Sequence, residues 1–323
     1  MHRFTPAILG ATLLATALTG QSLGELRDEI RRLAEESRYA VTIATLGDIA
    51  VDGELSGGSL DIEGSPGVSL TFFSLPWRNE LDAETSGVHL RIEGTLGYST
   101  ARIDIPDFWS GQLPGLQTRV TTNYRTFGCD GGAGPSIPLG AGLRLEPLGH
   151  AGLAYVENET RYTGPGAALT RALADGILFN WDGVYATYGG SIALRRAELP
   201  WGEVVMQPVV RYDLRVTEGI AVDDPALDGG DTTQWFTARF DLRGPTGWRV
   251  LDRDLTWHAD LGYRWWIGTA GDVFGFDNYF EVGGGLSWDA KDLLPGASSL
   301  RIGGALLLAH DAWGWSLGAS VDF

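Results

Sequence analysis

The chain has 323 residues, with 24 Lys and Arg against 41 Asp and Glu and a formal net charge of -17, a balance that excludes a nucleic-acid partner and adhesion to anionic membrane surfaces. Mean hydropathy is -0.03 and no long apolar run interrupts the sequence, which excludes a helical membrane protein. Gly (46 residues) and Trp (12 residues) are abundant, as lipid-facing girdles and closely packed barrel strands require.

Met1-His2-Arg3 gives a basic start, Ala7 to Leu18 is an apolar run, and Ala15-Thr16-Ala17 fits a small-x-small cleavage pattern, with Gly20 as a second site. Gln21 and Ser22 arrive too early for a membrane anchor, so residues 1–20 read as a signal peptide and the mature chain as exported. Over residues 24–38 the stripe Leu23, Leu26, Ile30 and Leu33 predicts a short helix. It suits either a solvated periplasmic segment or a helix lying in a lumen. Residues 39–66 carry weak strand patterns, Tyr39 to Leu46 and Ser59 to Ile62, broken at Gly47-Asp48 and Gly57-Gly58. The expected organisation is therefore a signal peptide (1–20), an N-terminal helix with a periplasmic or plug segment (21–66), and a barrel (67–323).

From residue 67 onward a period-two pattern recurs. Leu255, Trp257, Ala259, Leu261, Tyr263, Trp265 and Ile267 alternate with Thr256, His258, Asp260, Gly262, Arg264 and Trp266. Such segments fall at 68–75, 87–98, 116–127, 138–146, 149–160, 183–197, 203–216, 232–243, 255–267, 277–289, 299–309 and 313–323. The expected fold is all-β, a transmembrane antiparallel up-and-down β-barrel of about 12 strands with a short N-terminal helix. A soluble exported β-sandwich binding protein is the alternative, with the apolar faces turned inward. With the last strand ending in the periplasm, the connections at 146–149 and 198–202 fall on the periplasmic side. The longer ones at 161–182, 217–231 and 268–276 fall outside, and 99–115 and 310–312 break the asymmetry. Within 161–182, residues 167–176 look like a short helix. Cys129, in the run Gly128-Cys129-Asp130-Gly131-Gly132, reads as an incidental thiol in a loop and cannot form an internal disulfide.

The inward faces collect charge: Arg91, Glu93, Arg211, Asp213, Arg215, Arg239, Asp241, His258, Asp260, Arg264, Glu281 and Arg301, together with Arg119, Arg144, Glu146, Arg195 and Arg243. Opposite charges on neighbouring strands neutralise one another and fill a narrow interior; a selective pore is the functional alternative. An outer-membrane lipid-modifying hydrolase or acyltransferase would need a His beside a Ser. The candidate pairs, His310 with Ser316 and His258 with Asp260, lie in no nucleophile motif, so the chain reads as a non-enzyme. The acidic run Asp223 to Asp231 matches no calcium-loop spacing, and neither a metal nor a cofactor is expected.

The chain ends on Trp313, Trp315, Leu317, Ala319, Val321 and Phe323, alternating with small and polar residues. This end resembles the C-terminal assembly signal of Gram-negative outer-membrane barrels, read by the barrel-assembly machinery. Together with Phe73-Ser74-Leu75-Pro76-Trp77, Ile177-Leu178-Phe179-Asn180-Trp181, Tyr188-Gly189-Gly190 and Gly314-Trp315-Ser316-Leu317-Gly318, it makes the chain resemble the solitary outer-membrane autotransporter-like β-barrel family. The resemblance implies a porin-like, autotransporter-type barrel in the bacterial outer membrane, with too little sequence before it for a passenger domain. Lipids and lipopolysaccharide are the expected surroundings, no nucleic acid is expected as a partner, and the protein is expected to be a monomer.

Overall fold

The computed structural model describes residues 22–36, 57–62, 67–82, 87–109, 115–228, 230–250, 252–268, 276–289, 299–310 and 312–322. Its strands are β1 (Gly57–Ile62), β2 (Gly67–Asp82), β3 (His89–Ile105), β4 (Arg119–Gly140), β5 (Leu143–Thr163), β6 (Asp182–Arg196), β7 (Leu199–Trp201), β8 (Val204–Val222), β9 (Asp231–Val250), β10 (Arg253–Ile267), β11 (Asn278–Asp289), β12 (Ser299–Ala309) and β13 (Ala312–Asp322). Two helices, α1 (Leu23–Glu36) and α2 (Ala167–Ala174), and a 3-10 turn at Pro225–Leu227 complete the described elements. Neighbours pair antiparallel in chain order. Short β7 is a flap on β8, so β6 pairs directly with β8, and β1 pairs with β13 to close a ring of twelve strands.

Period-two alternation decides which way each side chain points. Phe73, Leu96, Phe127, Leu153, Ile192, Phe240, Leu261, Phe280, Ile302 and Leu317 come from different strands around the wall and are 45–67% exposed on its outside. A soluble monomer does not carry a continuous apolar belt of this extent. The polar members of each alternation face inward, the reverse of a β-sandwich, and the chain is a transmembrane β-barrel. No described helix is long and apolar enough to cross a membrane.

The strand count agrees with the sequence pattern, but two strands differ. The segments 138–146 and 149–160, expected to be separated by a turn at 146–149, are instead divided at the hairpin 141–142: 138–140 end β4, and 143–160 lie in one continuous β5 in which Glu146–Gly149 pair with Ala193–Gly190. The stretch 128–137, expected to be a loop, is the second half of β4, so Cys129 is not in a loop. It sits exposed in strand β4, opposite Leu96 and Leu153. Glycine and Pro147 imitate turn chemistry here. Their actual use is close approach: a Cβ on Gly134 would stand 1.9 Å from the Pro147 carbonyl oxygen, and one on Gly132 would meet the His150 ring at 2.5 Å. The strand lost by this fusion is replaced by β1, and the total stays at twelve.

This correction also removes an anomaly. β3 runs on to Ile105, so the long connection 106–118 lies at the same end of the barrel as 164–181, 223–230 and 268–277. The opposite end, where β13 finishes, has the tight hairpin 141–142 and the two-residue connection 251–252. We refer to these as the loop end and the turn end. The long/short asymmetry typical of outer-membrane barrels holds for these connections, while 310–311 stays short for the loop end and 290–298 long for the turn end.

Candidate functional site: a packed and salt-bridged lumen

Three layers fill the interior. At the loop end, α1 buries Ile30 and Ala34 completely against Phe108, Leu173, Phe179 and Ala226. The short N-terminal helix therefore caps the loop end of the barrel. Arg27 donates to the carbonyls of Ala172 (3.0 Å) and Asp175 (2.5 Å), capping the C-terminal region of α2. Arg31 donates to Asp224 (3.0 Å), whose carboxylate also accepts from the Ala226 backbone N–H. Residues 224–228 of the acidic run thus form a capped 3-10 turn and a dock for α1. Burial works to raise the Asp224 carboxyl, but the hydrogen bond and charge of Arg31, with the Ala226 N–H, hold it below the usual carboxylate range. A depressed carboxyl stabilises docking above its undocked value of about 4, and that stabilisation is lost as pH falls through the docked value. A dye placed at Leu23→Cys in a Cys129→Ser background should therefore lose anisotropy as the pH falls below about 4, and Asp224→Asn should abolish that dependence.

Below the cap lies an apolar layer of inward side chains from β2, β4, β6, β9 and β10: Phe72, Tyr124, Tyr185, Trp235 and Trp266, with Trp181 and Leu227. None exceeds 8% exposure. The sequence pattern marked the inward faces as charged and passed over these aromatics, because they occupy polar-phase positions of otherwise polar strands.

Toward the turn end the charges gather around a cavity of about 270 Å³. All twelve of the charged residues Arg91, Glu93, Arg211, Asp213, Arg215, Arg239, Asp241, His258, Asp260, Arg264, Glu281 and Arg301 line it. They do not form one cluster. On the β3–β8 side Arg91 donates to Glu93 (2.8 Å) and to Glu146 (2.7 Å), and Arg195 also reaches Glu146 (3.2 Å). Ser136 donates to Glu146 (3.1 Å), and Arg211 bridges Glu93 (2.8 Å) and Asp213 (2.9 Å). On the β9–β12 side the like-charged pair Asp241 and Asp260 face each other across β9 and β10 and share Arg239, at 2.7 and 3.0 Å. The Arg264 guanidinium sits 5.8–5.9 Å from the ring centres of Trp235, Trp266 and Tyr279, a cation–π arrangement that seats a buried charge against the aromatic layer. His258 lies across Gly285 and Gly303, where a Cβ would come within 2.8 and 3.0 Å of its ring.

A third group is centred on His150 of β5. Its Nδ1 is 3.2 Å from Asp130 Oδ1 and its Nε2 is 3.2 Å from Ser191 Oγ. Arg215 pairs with Asp130 and lies 3.1 Å from Nδ1, and Arg211 lies 3.2 Å from Nε2. Sequence reasoning missed Asp130 because it stood in a supposed loop. Continuing the even-numbered inward phase of Thr122, Tyr124 and Thr126 through Gly128 would have found it. The serine–histidine pair considered from the sequence is not brought together in this way: Ser316 is registered with Ala305 and faces the cavity, which leaves His310 roughly 16 Å further along the strand axis. Among the described residues no group of three or more His, Cys, Asp or Glu side chains is arranged to hold a metal ion.

In β13, Trp313, Trp315 and Leu317 point outward and are 44–65% exposed. The side chains of Ala319, Val321 and Phe323, and the whole of residues 1–20, lie outside the described residues.

No protein-family model matches the chain, and no curated protein matches it. Solved structures of similar shape are outer-membrane barrels. The translocator domain of the autotransporter NalP from Neisseria meningitidis is 12% identical, with a TM-score of 0.49, covering 81% of this chain and 83% of that one. The β-domain of the Bordetella autotransporter BrkA is 15% identical, with a TM-score of 0.43, over 83% and 96% of the two chains. The transport unit of AIDA-I from Escherichia coli is 12% identical, with a TM-score of 0.41, over 90% and 99%. The chain is a twelve-strand antiparallel barrel that resembles autotransporter translocators and porin-type barrels in outline. At such identities the likeness says nothing of activity.

Proposed function

We propose that this chain is an integral barrel of the bacterial outer membrane, of autotransporter type without a passenger domain, whose lumen is shut. The observation that carries the reading is the aromatic layer of Phe72, Tyr124, Trp181, Tyr185, Trp235 and Trp266, packed across the interior between the α1 cap and the charges. An ion crossing it would shed its water into a dry apolar layer, at a cost of several kcal/mol or more. The salt-bridged layer beneath adds a second obstruction, because its arginines and carboxylates satisfy one another. The outward apolar belt supports residence among lipids and lipopolysaccharide, and the alternation through Trp313, Trp315 and Leu317 supports recognition by the barrel-assembly machinery. The loop end then faces outward and the turn end the periplasm. Among the described residues those before β1 form one helix.

In planar bilayers the purified barrel is expected to leave the baseline conductance unchanged in 1 M salt. Replacing Trp235 and Trp266 together with Ala should give discrete conductance steps, since each truncation empties most of an aromatic side-chain volume from the blocking layer. Stepwise conductance of the unmodified protein would overturn the closed-lumen reading.

A further inference from the structure

Asp130, His150 and Ser191 stand on three successive strands, β4, β5 and β6, all facing the interior. The backbone partners directly opposite His150 are Gly132 on one side and Gly189 on the other. A Cβ on Gly132 would lie 2.5 Å from the His150 ring, so only glycine lets the imidazole lie along the wall with one nitrogen toward each neighbour. The hydrogen bonds then select a tautomer. Arg215 donates to both Asp130 oxygens, so its Nη2, which also lies 3.1 Å from Nδ1, already has an acceptor without the ring lone pair. With the proton on Nδ1, the ring donates to Asp130, and the Nε2 lone pair accepts from Ser191 Oγ–H and from Arg211. With the proton on Nε2, an imidazole lone pair would face a carboxylate oxygen at 3.2 Å, which is repulsive. The favoured tautomer is the one in which Nε2 can take the serine proton.

We propose that Ser191, His150 and Asp130 form a nucleophile, general base and orienting acid for hydrolysis of short-chain esters inside the barrel. In the acylation step Ser191 Oγ bonds to the ester carbonyl carbon while its proton passes to His150 Nε2. The carbon–oxygen bond to the leaving alcohol then breaks, and His150 returns the proton to that alcohol. Water repeats the sequence on the acyl-serine, releasing the acid and restoring the hydroxyl. Arg211, on the same edge of the imidazole as Ser191, supplies a charged N–H donor for the oxyanion. Asp130, His150 and Arg211 line the 270 Å³ cavity, and Ser191, 4% exposed, adjoins it through its hydrogen bond to His150. The cavity therefore limits the substrate to a small acyl group. The aromatic layer closes it toward the loop end, so entry is from the turn end.

The test is covalent labelling of the detergent-folded full chain with a small alkyl fluorophosphonate, in which a serine oxygen–phosphorus bond forms as fluoride leaves, followed by peptide mapping. The expected result is one adduct on Ser191, none in Ser191→Ala, and labelling at least about a hundredfold slower in His150→Gln. Ser136→Ala, which alters another buried lumen serine, should label at the unmodified rate. Each variant is scored only as its heat-modifiable folded band. If His150→Gln does not fold, the Ser191→Ala comparison still decides. No adduct on the folded unmodified chain, or equal labelling of Ser191→Ala, overturns the proposal. Conductance and the heat shift do not depend on Ser191, so failure here is separable from failure of the closed-barrel reading.

Discussion

Glu146→Leu is expected to lower the stability of the folded barrel by about 3–5 kcal/mol, the usual cost of removing one partner from a buried ionic cluster. Glu146 is 1% exposed and is the shared acceptor of Arg91 (2.7 Å), Arg195 (3.2 Å) and Ser136 (3.1 Å). Deleting its charge leaves two guanidiniums in a low-dielectric layer, with Arg91 retaining Glu93 and Arg195 losing its carboxylate. Glu146→Gln keeps the hydrogen-bonding shape without the charge, and its cost should be smaller, about 1–3 kcal/mol. Urea titration of the folded fraction in micelles, read as the unheated gel band, measures both. If Glu146→Leu unfolded at the same urea concentration as the unmodified chain, the ionic layer would contribute nothing to holding the barrel.

Gly58→Val is expected to prevent closure of the barrel altogether. β1 is a six-residue strand and its described pairs with β13 run only from Gly58↔Ser316 to Ile62↔Ala312. At Gly58 a Cβ would come within 2.1 Å of the Trp315 carbonyl oxygen and 2.8 Å of Ser316 Cα, both backbone atoms of the closing strand. Neither can yield without opening the seam, and a short seam has few other hydrogen bonds to hold it. The variant should show no heat-modifiable band. Gly57→Ala, one residue earlier, places its Cβ 3.4 Å from Leu317 O, close to ordinary contact, and should assemble. A normal band shift for Gly58→Val would mean that this seam closes with a different register.

The exposed belt and the polar interior were legible because a strand has a period of exactly two residues in its facing, so residues such as Leu261 and Asp260 are sorted to opposite sides by position alone. Helix α1 was legible from one apolar stripe, and α2 from a short run of helix formers. The sequence misled where glycine served closeness and not turning. Gly128 to Gly134 and Pro147 carry the chemistry of loops, yet they lie inside β4 and β5; at Gly132 a ring and at Gly134 a neighbouring carbonyl occupies the space a side chain would need. That misreading hid Asp130 and, with it, the His150 group.

The sequence by itself determined the class of architecture: an antiparallel β-barrel with an apolar outside, a charged inside and a helix before it. These follow from local periodicity, which each segment carries alone. Only the tertiary structure decided which charges meet, that α1 caps the loop end through Arg31 and Asp224, and that aromatics from five strands pack together inside the barrel. Those outcomes depend on register across strands distant in sequence, such as the contact of Arg211 with Glu93. Register is set by the closure of the whole ring, not by any one strand.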